Sequence, residues 1–215
     1  MKNQLFFLLA FFGMLNLHEL KAQEVSTFKA YNSVRFEYAI YLPDDFKKGE
    51  TYELVMLFSE IEPKNNRWET AIGELKSHHH TKTIYVVPKV PLGRPHWKSH
   101  PIHHGLNDLM DQVREEYGKD NQQFHFIGHK EGGDVAQTYA KMSREYVKSL
   151  TYLQAEHWSW TKQPYFNQNL DGGIPVRVLD HREAAGIPID VSKARFYKVS
   201  GFVNGLKQLE QLLAQ

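Results

Sequence analysis

The chain has 215 residues, 26 Lys and Arg against 25 Asp and Glu, 12 histidines and no cysteine. This near-neutral balance, with no long basic run, argues against nucleic acid or an anionic membrane surface as a partner. The lack of cysteine excludes a disulfide framework and a cysteine-linked lipid anchor.

Residues 1–22 have the layout of a secretory signal peptide. Lys2 gives a positive start, "LFFLLAFFGMLNL" an apolar run, and Leu20 and Ala22 the positions a signal peptidase reads. The apolar run is shorter than the roughly 20 residues that span a bilayer. Cleavage near Ala22 would leave one domain, 23–215, with no formal net charge and no stable membrane insertion. The expected location is periplasmic or secreted.

Within that domain, residues 34–42 alternate Val34, Phe36, Tyr38, Ile40 and Leu42 with mostly polar neighbours, a half-buried strand ended by Pro43. Residues 53–59, "ELVMLFS", form a nearly continuous apolar run, as in a strand buried on both faces. Trp68, Ile72 and Leu75 repeat at helical spacing. "TIYVVPKV" is a further buried strand. Residues 105–118 make an amphipathic helix closed by Gly118. "FHFIGH" is a strand and "GGDVAQTYAKM" a helix. "SLTYLQAEH", "IPVRVLDH" and "ARFYKVSG" are strands, and "GLKQLEQLLA" a closing helix. This alternation predicts a three-layer α/β/α sandwich around a mostly parallel, twisted sheet. In such sheets the working surface lies at the carboxyl ends of the strands.

"FHFIGHKEGGDVA" resembles the nucleophile elbow of the α/β-hydrolase fold, in which a strand, a sharp turn and a helix present a serine in Gly-x-Ser-x-Gly. "YAIYLPDDFKKGETYELVMLF" and "GIPVRVLDHREAAGIPID" are similar to segments of its small secreted esterases, related to feruloyl esterases, polyhydroxybutyrate depolymerases and dienelactone hydrolases. Carried over one position at a time, the resemblance places the nucleophile on Lys130 and the triad acid on Ala184. The triad histidine falls on Asn204, or on Val203 if the register slips by one. The pair that feeds the oxyanion hole falls on Ser59 and Glu60, and an acidic side chain there opposes a developing oxyanion.

A serine triad works as one unit, so these substitutions imply lost hydrolysis. A solvated lysine is protonated at neutral pH, and the adjacent Glu131 favours its ammonium form. An amide formed on an acylated lysine would not turn over as an ester does.

Other chemistry is available on the same edge. His96, His100, His103 and His104 fall in the expected loop after "TIYVVP", with His129 in the elbow, His157 after one strand and Asp180 and His181 after another. With the carboxylates Glu60, Glu131, Glu156 and Glu183 they offer imidazole and oxygen ligands for a divalent metal. Against this, no HExxH motif is present, and solvated histidine-rich loops are common. Pro95 and Pro101 argue against a regular helix there. "HHH" at residues 78–80 falls at the opposite edge and reads as incidental surface histidine. Trp97 and Trp158 offer indole faces for a sugar ring or an apolar group.

The sequence therefore predicts a pseudoenzyme without a required cofactor. It would bind a small molecule, a glycan or an envelope protein near Ser59, Glu60, Trp97, His129, Lys130, Glu131, His157, Trp158, Asp180 and His181. The alternative is an esterase-like hydrolase with a non-standard site, either metal-assisted or using Ser59.

Overall fold

The computed structural model describes residues 24–59, 67–78, 80, 82–89, 100–155, 163–183 and 194–215. The signal segment lies outside them. Eight strands form one sheet: β1 (Glu24–Lys29), β2 (Arg35–Tyr41), β3 (Glu53–Phe58), β4 (Thr83–Pro88), β5 (Phe124–His129), β6 (Val147–Leu153), β7 (Val176–Asp180) and β8 (Arg195–Lys198). Their spatial order is β1-β2-β4-β3-β5-β6-β7-β8. β2 runs antiparallel to both its neighbours, and every other pair is parallel. The helices are α1 (Arg67–Lys76), α2 (His100–Tyr117), α3 (Gly132–Met142), α4 (Gln163–Asp171) and α5 (Phe202–Leu213).

The apolar runs of β3, β4 and β5 are continuous because both faces of the sheet are covered. Leu54, Met56, Phe126 and Tyr152 point into one core with Leu106 and Met110 of α2 and Tyr139 of α3. Val55, Leu57, Ile127 and Leu153 point into a second, with Trp68 and Ile72 of α1 and Phe202, Leu206 and Leu209 of α5. The chain runs from β3 outward to β4 and then returns to β5 on the other side of β3. The reversal makes the carboxyl ends of β3 and β5 the topological switch point, the expected ligand position in an open α/β sheet.

Several elements differ from the sequence reading. β1 was not anticipated: "EVSTFK" has few apolar residues, and its pairing with β2 is what holds it. That pairing makes β2 an interior strand, so Tyr38, Ala39, Ile40 and Tyr41 are all buried and the alternation is lost. α2 begins at His100, five residues before the expected start at Gly105. Pro101 lies in its first turn, where the missing N–H has no intrahelical acceptor to lose. The proline thus marks the beginning of a helix rather than its absence. α4 lies between "SLTYLQAEH" and "IPVRVLDH", where no element was expected.

"HHH" is also corrected. His78 and His80 are 4% and 5% exposed, stacked with ring centroids 5.9 Å apart and edge-on to Tyr85. Tyr85 donates to Glu210 at 3.0 Å, and His78 Nε2 lies 3.2 Å from the same oxygen at an angle too bent for a hydrogen bond. These two imidazoles fill the lower end of the α5 face; His79 lies outside the described residues.

A second polar group crosses the same face. His125 Nε2 lies 3.0 Å from Glu53 and His125 Nδ1 2.6 Å from Ser149 Oγ. Lys148 reaches both oxygens of Glu53 at 2.9 and 2.8 Å. The hydrogen bond from His125 draws the Glu53 carboxyl down from 4.5 to about 2, against the cost of burial and with help from Lys148. Burial lowers His125 itself, so the imidazole is neutral and donates its Nε2–H. A depressed acid stabilises the fold above its unfolded pKa and loses that contribution as pH falls toward its folded one. Glu53→Gln is therefore expected to cost about 1–2 kcal/mol at pH 7. The difference from the parent should shrink between pH 4.5 and 2, read from denaturant melts across that range.

Candidate functional site

The turn between β5 and α3 is built by close approach. A Cβ on Gly128 would collide with Gly133 Cα, and a Cβ on Gly132 with Phe58 O, besides lying 2.8 Å from Ser59 N. Only glycine fits at either place, so β3, β5 and the start of α3 meet without side chains between them. Lys130 sits at the apex with φ +49°. For a residue with a Cβ this left-handed conformation costs about 1 kcal/mol, and the surroundings must hold it. Lys130 N donates to Leu153 O at 3.2 Å, and Gly133 N to Lys130 O at 3.2 Å. The strained apex that presents a nucleophile in a working elbow is thus retained, with an amine on it.

A buried polar strut supports the turn. Tyr152 donates to Gln137 Oε1 at 2.9 Å, Gln137 Nε2 to Asp134 Oδ1 at 3.1 Å, and Asn169 of α4 to Gln137 O at 3.1 Å. Sequence reading missed these residues because each occupies an ordinary helix or strand position.

His129, expected to line a pocket, is 2% exposed and packs on Phe202 with ring centroids 4.4 Å apart. Neither ring nitrogen has a hydrogen-bond partner. Burial, then the positive charges of Lys130 and Arg67, push its pKa down to about 3, so it is neutral and a poor proton acceptor. It belongs to the core beneath the elbow. Ser59 is 1% exposed, directly after β3, and its hydroxyl also lacks a partner. Lys130 and Glu131 are half-buried at the turn.

The remaining positions are occupied by other bonds. Asp180, at the end of β7, is fully buried and accepts from Arg182 N at 3.0 Å, Nε at 2.9 Å and Nη2 at 2.6 Å. Burial opposes its charge, but Arg182 outweighs that and holds the carboxyl below its usual range. Arg182 also donates to Ala155 O at 2.8 Å, tying the ends of β6 and β7 together. His181 is exposed beside this pair. Asn204 is exposed in the first turn of α5 and donates back to Ser200 O at 2.8 Å. Val203 is half-buried against the second core.

Of the expected histidine cluster, His103 and His104 have described side chains. Ser143 donates to Asn107 at 2.8 Å, so its oxygen accepts from His103 Nε2 at 2.6 Å. Ser143 caps the far end of α3, 11 residues long, roughly 16 Å from the elbow. His104 lies against His103 and is exposed. His100 heads α2. Among the described residues no three His, Cys, Asp or Glu side chains could hold a metal ion. Glu60, His96, Trp97, Glu156, His157, Trp158 and Ala184 lie outside the described residues.

The architecture agrees with known structures. The fold is that of the α/β-hydrolases. An α/β serine hydrolase homologue from Coxiella burnetii superposes with a TM-score of 0.57 at 14% identity, covering 90% of this chain and 97% of that one. An S-formylglutathione hydrolase from Staphylococcus aureus gives 0.56 at 12% identity, with the same coverages. A thermostable esterase gives 0.56 at 15% identity over 90% of this chain but only 63% of its own. Identities this low carry the fold and nothing of the activity. No family model matches the chain, and no curated protein is similar to it.

Two outcomes check the elbow. Gly132→Ala should destabilise the fold by about 3 kcal/mol or more, because backbone on β3 must give way. Lys130→Gly, which relieves a positive φ, should stay within about 1 kcal/mol of the parent or exceed it. Chemical denaturation measures both. A buried base with a lowered pKa stabilises the fold above its unfolded value, near 6.5, and loses that contribution as pH falls toward 3. His129→Phe should flatten the fall in stability across this window by up to about 1.4 kcal/mol per pH unit.

Proposed function

We propose that the protein is an exported, catalytically inactive member of the α/β-hydrolase fold. It binds a small molecule, a glycan or an envelope protein at the former active-site edge. The observation that carries this reading is Lys130 at the apex of the elbow, at φ +49°, where the reaction needs a hydroxyl. Its neighbours add support. The imidazole next to it is sealed under Phe202, the buried carboxylate at the end of β7 is committed to Arg182, and Asn204 turns back to Ser200. The half-buried Lys130 and Glu131 would supply charge-based recognition in place of bond cleavage.

One observation favours the rival reading, a hydrolase with an altered site. Ser59, directly after β3, carries a buried hydroxyl without a partner among the described residues. Its neighbour His129 is neutral and could accept a proton only at low driving force.

Hydrolysis of short and medium acyl nitrophenyl esters separates the two, measured with and without a chelator beside Lys130→Ala and Ser59→Ala. The proposal expects no turnover above the variants, and none gained by Lys130→Ser, since one hydroxyl without its base is inert. Turnover lost in Ser59→Ala would establish the hydrolase, and turnover lost with the chelator a metal-assisted one. Export predicts a secreted or periplasmic product whose intact mass begins at Gln23.

A further inference from the structure

We infer that the protein has a second ligand site, at the opposite edge of the sheet from Lys130. There Arg177 of β7 and Arg195 of β8 together bind a phosphate or sulfate group. The two arginines are directly opposite in register on adjacent parallel strands, whose backbones lie about 4.8 Å apart. Their side chains share the α5 face of the sheet with Leu179 and Tyr197, two residues further along each strand. Like charges placed opposite each other destabilise a sheet unless something of the other sign lies between them.

Arg177 is held for this role by a directed chain of hydrogen bonds. Glu53 takes the Nε2–H of His125, which leaves Nδ1 as an acceptor for the Ser149 hydroxyl at 2.6 Å. Having donated its proton, Ser149 Oγ accepts Arg177 Nη1 at 2.8 Å. The sequence Ser149–His125–Glu53 has the connectivity of a hydrolytic relay. Ser149, however, is 1% exposed and its oxygen faces a guanidinium, so it fixes an arginine rather than attacking a substrate.

The relay gives Arg177 only a neutral oxygen. No carboxylate lies within ion-pair distance of its half-buried guanidinium among the described residues, and its Nε has no acceptor. Arg195 is exposed with no hydrogen-bond or ion-pair partner there. Glu53, at the far end of the chain of hydrogen bonds, is already shared by His125 and Lys148. Burial lowers the pKa of Arg177, Tyr197 opposes that, and Arg195 lowers it further, in agreement with two cations placed close together. A tetrahedral oxyanion offers several oxygens to two planar forks and can carry two negative charges, which matches what is missing.

Inorganic phosphate and sulfate, each titrated into the protein at constant ionic strength set by chloride, test the site. The reading expects the melting temperature to rise with phosphate, sulfate or both beyond the chloride control. Arg195→Ala should weaken that response about tenfold or more. In chloride alone the variant should melt at or above the parent's temperature, because a like-charge contact is gone. Lys198→Ala, at the other end of β8, should bind as the parent does. The site is refuted if neither oxyanion exceeds chloride. It is equally refuted if Arg195→Ala binds within about twofold of the parent, or if Lys198→Ala loses as much as Arg195→Ala.

Discussion

The contact between Phe58 at the end of β3 and Gly132 at the start of α3 governs this structure. It brings two strand ends and a helix end within backbone distance, and the turn joining them can close only with its apex residue in the left-handed region. That geometry is expensive for a lysine and gives the fold nothing it could not obtain from a looser turn. The turn therefore has the strand–apex–helix geometry of a nucleophile elbow, with an amine at its apex.

The arrangement around the apex is consistent with that view. Nucleophilic catalysis needs a base within reach of the nucleophile and an acid oriented on the base. Here the adjacent imidazole is packed on Phe202 and kept neutral, and the Asp180 carboxylate is bonded three times to Arg182. Each group serves stability where it could have served chemistry. Arg182 joins two strand ends, His129 fills the second core, and the Tyr152–Gln137–Asp134 strut fixes α3. The polarity on the α5 face beyond the elbow is organised separately, around His125 and the arginines of β7 and β8.

The architecture was legible in the sequence because its signals are local and strong. Continuous apolar runs in β3, β4 and β5 require a doubly covered sheet, and Gly128 and Gly132 on either side of Lys130 require a tight turn. What could not be read depends on partners distant in sequence. β1 has little pattern of its own and exists through β2. The start of α2 was hidden by Pro101, whose meaning depends on which side of it the helix lies. The histidines were the least legible of all. They share a residue type but not a place: His78 and His80 stack under α5, His103 bonds Ser143 at the foot of α3, and His125 lies in a strand relay. Residue type alone does not tell these separate uses apart. Lys130 was read from the elbow motif, Ser59 and Asp180 from their places after strands and Asn204 from the stretch after the last strand, but Arg182 could be identified only once β6 and β7 were seen side by side.

The measurement that bears most directly on the proposed lack of a nucleophile is the intact mass of the protein after exposure to a fluorophosphonate, a reagent that phosphonylates activated serines. The account predicts an unchanged mass, since Ser59, Ser143 and Ser149 are all buried. A single stoichiometric adduct, mapped to any serine at the carboxyl edge of the sheet, would contradict it and establish a working active site.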